Sequence, residues 1–200
     1  PARDRAAAYL GLHNRLDRDT SGVMVFTKKK EANIGIGRAF AEHLARKTYL
    51  AIVSTPNPLP DQWSVDNFLA RDKEKAGKMG AVRSGGDRAI TDFRTLGSVP
   101  GYALVEARLR TGRMHQIRVH LAGGDTPILG DRTYGGSMKI TGEISVPRVM
   151  LHAAALTFPH PVTKLETSFQ APLTADFKQC LSQLRLPNLF LDDFGNERRS

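Results

Sequence analysis

Cysteine is nearly absent: Cys180 stands alone among 200 residues. One thiol excludes an intrachain disulfide framework and a multi-cysteine zinc site, and it fits a reducing compartment, with the cytoplasm as the expected location. Long hydrophobic runs are missing too. No apolar stretch approaches the roughly 20 residues that span a bilayer, so no membrane association is expected. The first residues, Pro1-Ala2-Arg3-Asp4-Arg5, carry neither an initiator Met nor a secretory pattern. That abrupt start predicts an N-terminal part of the protein beyond this chain. Acid is in deficit: 20 Asp and Glu face 29 Lys and Arg, a formal charge of +9 and a pI near 10.0. An excess of that size favours polyanions such as nucleic acid, although charge alone fits a basic protein without such a partner equally well. Several chemical signatures are also missing. No Gly-rich loop runs into Lys-Ser/Thr. Ser21 sits in no G-x-S-x-G elbow. His115 and His120 are five apart rather than four, with no cluster to complete a zinc site. No metal or cofactor is expected.

What is present suits one domain with its own core. Hydrophobic residues make up 40% and charged residues 24%, ordinary for a globular chain. Val23–Thr27 reads as a strand. Glu31–Arg46 reads as an amphipathic helix, with Ile36, Phe40 and Leu44 recurring every four residues beside Ala32 and Ala39. Thr48–Val53, rich in β-formers, is predicted to be a strand, broken afterwards by Pro56, Pro58 and Pro60. Arg71–Arg88 reads as a flexible, net-positive excursion with Gly77, Gly80, Gly85 and Gly86, suited to phosphate contact. Ile90–Leu96 and Tyr102–Leu109 flank Pro100-Gly101 as a strand pair. Arg113–Ala122 is predicted to be a helix ended by Gly123-Gly124, and Leu151–Phe158 a strand stopped by Pro159. A last helix starts near Pro172 and runs to about Leu184. The polar tail 192–200 is expected to be loose. Without regular βαβ alternation, this order predicts one α+β domain over 1–200, its mixed, largely antiparallel sheet flanked by helices.

Two segments carry chemistry. Arg15-Leu16-Asp17-Arg18-Asp19-Thr20-Ser21-Gly22 packs alternating charges into a turn and then feeds the apolar run Val23-Met24-Val25-Phe26. Asp17 is the candidate nucleophile there, although Asp beside Thr-Ser-Gly is also an ordinary turn or cap residue. The second segment is Arg110-Thr111-Gly112-Arg113-Met114-His115-Gln116-Ile117-Arg118-Val119-His120-Leu121. A helix here puts Met114, Ile117 and Leu121 on one side and leaves Arg118 at the border of that apolar face, where a guanidinium needs a carboxylate partner.

Together these segments resemble the RluA type of RNA pseudouridine synthase. The first resembles its H-R-L-D-x-x-T-S-G signature, with Asn14 in the histidine position and His13 just before it. The second is similar to T-G-R-x-H-Q-[IL]-R-V-H at every fixed position. Lys47-Thr48-Tyr49-Leu50-Ala51-Ile52-Val53 resembles K-x-Y-x-A-x-V. Pro127-Ile128-Leu129-Gly130-Asp131 with Tyr134-Gly135, and Leu151-His152-Ala153, resemble two further segments of the family. The resemblance covers roughly residues 13–172 and lacks the family's lysine-proline-glycine strand before the Asp motif and its S4-like domain.

The resemblance implies the pseudouridine synthase fold and a cofactor-free isomerisation of uridine in structured ribosomal or transfer RNA. It makes Asp17 catalytic, with Arg118 paired to it and favouring its ionised form. Tyr49 and Ile117 would enclose the uracil, and Arg15 would fill the stack vacated by a flipped nucleotide. Arg18, Arg110, Arg113 and His115 are expected to contact RNA, as are Lys73, Lys75 and Lys78 of the basic arm. A monomer is the expected state. Two rivals stand beside this reading: a non-catalytic RNA-binding domain, and a nucleoside hydrolase, for which no second base is visible. A glycosidase pair of Asp17 and Asp19 fits poorly, because neighbours in one turn rarely face a sugar from two sides.

Overall fold

The computed structural model describes residues 9–140 and 144–187. Residues 1–8 and the tail 192–200 lie outside that range, so the expected looseness of the tail falls on residues not described. The elements run β1 (Gly11–Leu12), β2 (Ser21–Gly22), β3 (Phe26–Thr27), α1 (Glu31–Ala41), β4 (Arg46–Ser54), β5 (Gln62–Arg71), β6 (Met79–Val82), β7 (Asp87–Val99) and β8 (Tyr102–Leu109). They continue with α2 (Gln116–Gly123), β9 (Lys139–Ile140), β10 (Ile144–Ser145), β11 (Leu151–Pro159), β12 (Glu166–Gln170) and α3 (Ala175–Leu184).

The main sheet is ordered β12-β11-β4-β8-β7-β5-β6 and is antiparallel along that path. Its parallel element is β2, which lies beside β11 with Ser21 opposite His152 and Gly22 opposite Ala153. The sheet is therefore mixed and largely antiparallel, as expected. Strand β4 lies inside the sheet, paired with β11 on one edge and β8 on the other, and is buried from Leu50 to Val53. Phe177, Cys180, Leu181 and Leu184 of α3 join Leu50, Ile52, Leu104 and Met150 in the main core. Helix α1 instead packs Ile36 and Ala39 with Leu156 and Phe158.

Several expected boundaries move. Val23–Thr27 is not one strand: β2 and β3 are two-residue pieces, and the chain between them turns under a side-chain bond from the Val25 amide to Asn14 Oδ1 (3.0 Å). Helix α1 stops at Ala41 and leaves Leu44 exposed, because β4 claims Arg46 onward for pairing with β8 and β11. Helix α2 begins at Gln116, so Met114 leaves the face shared by Ile117 and Leu121 and packs near Leu69, Met79 and Val119. Pro172 precedes the Thr174 cap of α3 rather than occupying its first turn. The segment 71–88 is not a free excursion. It closes a hairpin in which β6 pairs with β5 and Met79 is buried, and the Asp72 carboxylate accepts the Glu74 and Lys75 amides at 2.9 and 3.1 Å. Among the described residues no helix is long and apolar enough to cross a membrane.

Burial of histidine sets the pH response of this core. His120 is 4% exposed, with Nδ1 2.9 Å from Thr91 Oγ1 and Nε2 3.0 Å from Asn67 Oδ1. Desolvation lowers its pKa from 6.5 to about 4, and His152 shifts in the same direction. Between those values the unfolded chain binds a proton that the folded chain does not, so stability rises with pH there. The contribution is full above about pH 6.5 and is lost as pH falls towards 4, up to about 3 kcal/mol for His120. Denaturant titrations across this window should show the slope, and His120→Gln should flatten it. A slope identical in the variant would show that His120 does not carry it.

Candidate active site

The turn carrying Asp17 is fixed from several sides. The Thr20 amide donates to the Asp17 carbonyl at 3.1 Å, and Asp19 adopts left-handed backbone geometry (φ 67). Immediately after it, β2 presses on β11. Gly22 has φ 124, and a Cβ there would stand 2.2 Å from the Ala153 carbonyl oxygen, so no larger residue fits without moving β11. Ser21 Oγ lies 2.8 Å from His152 Nδ1, and the Val23 amide donates to the Ala153 carbonyl at 2.9 Å. Asn14 contributes a backbone-binding side chain to this loop, a role that needs no histidine.

The turn before α2 is stitched by one residue. Gln116 is 2% exposed; its Oε1 accepts Thr111 Oγ1–H at 2.9 Å and the Arg113 amide at 3.0 Å, and its Nε2 donates to the Ile90 carbonyl and Thr91 Oγ1. His115 then enters α2 in left-handed geometry (φ 55). Its Nδ1 lies 2.9 Å from Tyr134 Oη, which also accepts the Met79 amide at 2.9 Å. The other ring nitrogen of His115, Nε2, lies 4.0 Å from Asp17 Oδ2. Burial lowers the His115 pKa, the Asp17 charge working against that shift.

Both segments meet at a cleft of about 100 Å³ lined by Arg15, Asp17, Thr20, Lys47, Tyr49, Arg113, His115, Ile117 and Arg118. Arg118 Nη1 stands 3.5 Å from Asp17 Oδ2. Its stronger partner is Asp131, which is fully buried and takes Nε at 2.7 Å and Nη2 at 2.8 Å. Asp131 also accepts the Thr133 and Tyr134 amides at 3.1 and 3.3 Å. Arg118 thus stands within ion-pair distance of Asp17, as expected, but its tight bidentate pair belongs to Asp131, a partner that sequence reading did not assign, and Asp17 receives the remaining arm at longer range. Burial opposes the Arg118 charge, but the bonds and field of Asp131, with Asp17 adding, raise its pKa above the ordinary value. The Arg118 guanidinium carbon also lies 5.0 Å from the centre of the Tyr134 ring. Tyr49 is pushed up to about 12 by burial, with the Asp17 charge contributing, so its phenol keeps its proton at neutral pH.

Other expected site residues lie elsewhere. Arg110 is outside the cleft, bound across the sheet to Asp92 at 2.6 and 3.0 Å. Arg18 lines a broader groove that continues outward from the cleft past Arg15, Lys47 and Arg113. Lys73 and Lys75 are exposed on the β5–β6 turn, and Lys78 Nζ lies 5.5 Å from the Tyr134 ring centre, facing a separate groove. Asp131 carried a signal in sequence, since Gly130-Asp131 stands in a stretch that resembles the family, but nothing local marks it as the partner of Arg118. The fold brings it there through Gly130, whose φ of 80 lets the chain pass Arg148 so closely that a Cβ would lie 1.8 Å from the Arg148 carbonyl oxygen. Among the described residues no group of three or more His, Cys, Asp or Glu side chains could hold a metal ion.

The family model described as RNA pseudouridylate synthase matches residues 2–123. A ribosomal large subunit pseudouridine synthase D from Zymomonas mobilis is 37% identical over 183 residues, covering 89% of this chain and 57% of the relative. The protein of the same name from Xylella fastidiosa is 36% identical over 195 residues, covering 92% and 58%. The chain thus spans little more than half the length of these curated relatives. Among solved structures, the human RNA pseudouridylate synthase domain containing 4 superposes with a TM-score of 0.76 at 30% identity, covering 89% of this chain and 77% of that one.

Proposed function

The chain belongs to the RNA pseudouridylate synthase family, and from that premise we propose that it isomerises uridine to pseudouridine in a structured ribosomal or transfer RNA, as a cytoplasmic monomer without a cofactor. The observation that carries the reading is the convergence of Asp17, Tyr49, Ile117 and Arg118 on one cleft from three distant stretches of chain. The glycosidic bond must be cut, the base turned and a carbon–carbon bond formed, and a base stacked inside folded RNA is out of reach until it is flipped out. Asp17 acts on the ribose or the base as a carboxylate. Tyr49 and Ile117 hold the uracil between an aromatic and an aliphatic wall. Arg118 is anchored by Asp131, so it lends positive charge to Asp17 at 3.5 Å without locking both carboxylate oxygens in a tight pair. That leaves the other side of the Asp17 carboxylate for the substrate.

Incubating the protein with ribosomal and transfer RNA and separating the digested nucleosides by chromatography tests this reading. Pseudouridine is expected to rise as uridine falls. Unchanged nucleosides would leave only a binding protein, and free uracil would mark a hydrolase.

Affinity is carried largely by cations, so log affinity should fall linearly with log salt as phosphate contacts release counterions. Neutralising Lys73, Lys75 and Lys78 should flatten that slope by roughly 0.7–0.9 for each phosphate no longer neutralised, and weaken all RNAs alike. A slope unchanged in the triple variant would remove the hairpin from the interface. Arg15 is exposed at the mouth of the cleft, and its job is to hold the flipped state open. Arg15→Ala should therefore slow modification more than it weakens binding. An effect confined to affinity, like that of the lysines, would withdraw that role.

A further inference from the structure

Lys47 takes no part in the chemistry above, yet it sits at its edge. It is the second residue of β4, two before Tyr49, and residues two apart on a strand share a face. Both accordingly line the Asp17 cleft, and Lys47 also lines the outer groove. Its ammonium lies 5.0 Å from the centre of the Phe40 ring, and so close to Gly112 that a Cβ there would stand 3.1 Å from Nζ. Among the described residues no carboxylate reaches it and no hydrogen bond holds it. Partial burial lowers its pKa. A cation stripped of part of its water, with no anion of the protein to answer it, is costly.

Its surroundings point to the missing anion. Arg15, Arg18 and Arg113 line the same groove, and Asp17 is the only acidic residue in that lining. Among the described residues Arg15 and Arg18 make no ion pair, and Arg113 has a single one, Asp87 at 3.7 Å. A groove so lined attracts polyanions. Two strand residues advance about 6.6 Å, of the order of the distance from a base to its own backbone. An anion at Lys47 therefore lies where a nucleotide whose base faces Tyr49 would bring its linkage.

We propose that Lys47 is the seat of one phosphodiester flanking the uridine in the Asp17 cleft. The seat rests on the activity proposed above and goes beyond it: it assigns a point contact that sets the depth and direction of the nucleotide, rather than general attraction to RNA. Phe40 and Gly112 define the space around the ammonium, so a linkage that enters the groove is met by a fixed charge rather than a swinging one.

The test uses a short RNA hairpin spanning the uridine that the protein modifies, made with a single uncharged methylphosphonate linkage on either side of that uridine. With the unaltered protein, one of the two substitutions should lower kcat/KM about tenfold, the effect of removing one charge-assisted hydrogen bond. Lys47→Met, which keeps the apolar stem, should suffer the same loss on native RNA, mainly through KM, and no further loss with that methylphosphonate. Lys47→Gln should behave likewise. The seat is overturned if neither methylphosphonate harms the unaltered protein, or if the penalty is as large in the Lys47 variants. It is also overturned if those variants lose kcat at saturating RNA with KM unchanged, which would make Lys47 a proton-transfer group. A protein that modifies no RNA would refute the activity itself, and the seat with it; a protein that modifies RNA with equal penalties would refute the seat alone.

Discussion

Asp17→Asn should abolish pseudouridine formation, lowering turnover roughly 10²–10⁴-fold or more, while RNA affinity stays within a few-fold of the unaltered protein. The amide has the shape of the carboxylate but neither its charge nor its basicity. The fold has little stake in the group: the Asp17 side chain is 25% exposed and its nearest cation stands at 3.5 Å, whereas the turn is held by backbone bonds and by β2 against β11. Stability should therefore change by less than about 1 kcal/mol. Filter binding and denaturant titration of the same preparation separate these effects. Near-normal turnover in Asp17→Asn would end the mechanism. Loss of turnover together with loss of binding would show that Asp17 serves affinity instead.

Asp131→Ala should be the most damaging substitution for stability. It leaves the Arg118 guanidinium, 6% exposed, with Asp17 as its remaining carboxylate at 3.5 Å. Breaking a buried pair by removing one partner costs about 3–5 kcal/mol, roughly 10 °C in Tm for a chain of this size. The denaturation midpoint should fall with its slope unchanged. Arg118→Met should be destabilising too, and adding Asp131→Leu to it should cost less than the two single changes summed, because the double variant buries no lone charge. Strict additivity would show that the two side chains do not act as a pair. Asp131→Asn, which keeps its bonds to the Thr133 and Tyr134 amides, should retain more stability and still slow turnover through a misplaced Arg118.

Much of this arrangement is legible before any coordinate, for unequal physical reasons. Asp17, Tyr49, Ile117 and Arg118 stand in segments whose residue order resembles a known family, and those four meet in one cleft. Asp131 stands in such a segment too, but its pairing with Arg118 depends on tertiary packing that local sequence does not encode. Arg110 misleads because its neighbours in sequence hold no acid, while Asp92 faces it on the adjacent strand. Residues 42–47 are good helix formers, yet they leave α1 for a turn and β4, since strand pairing outweighs propensity. The start of α2 slips by three residues because the Gln116 side chain organises the Thr111–Arg113 turn, a contact that periodicity does not register. β5 is missing from the sequence-derived elements although Trp63, Val65, Asn67 and Leu69 turn inward on a two-residue period. The prolines before it and the charges after it mask that strand, and with it the hairpin that orders the basic arm.

Release of tritium from RNA labelled at C5 of uridine tests the central claim most directly, because forming the carbon–carbon bond of pseudouridine expels the C5 hydrogen. The predicted result is tritium appearing in solvent in step with pseudouridine, with no added metal or cofactor, and none released by Asp17→Asn although that variant still binds the RNA. Binding without release by the unaltered protein, or equal release by Asp17→Asn, would contradict the account.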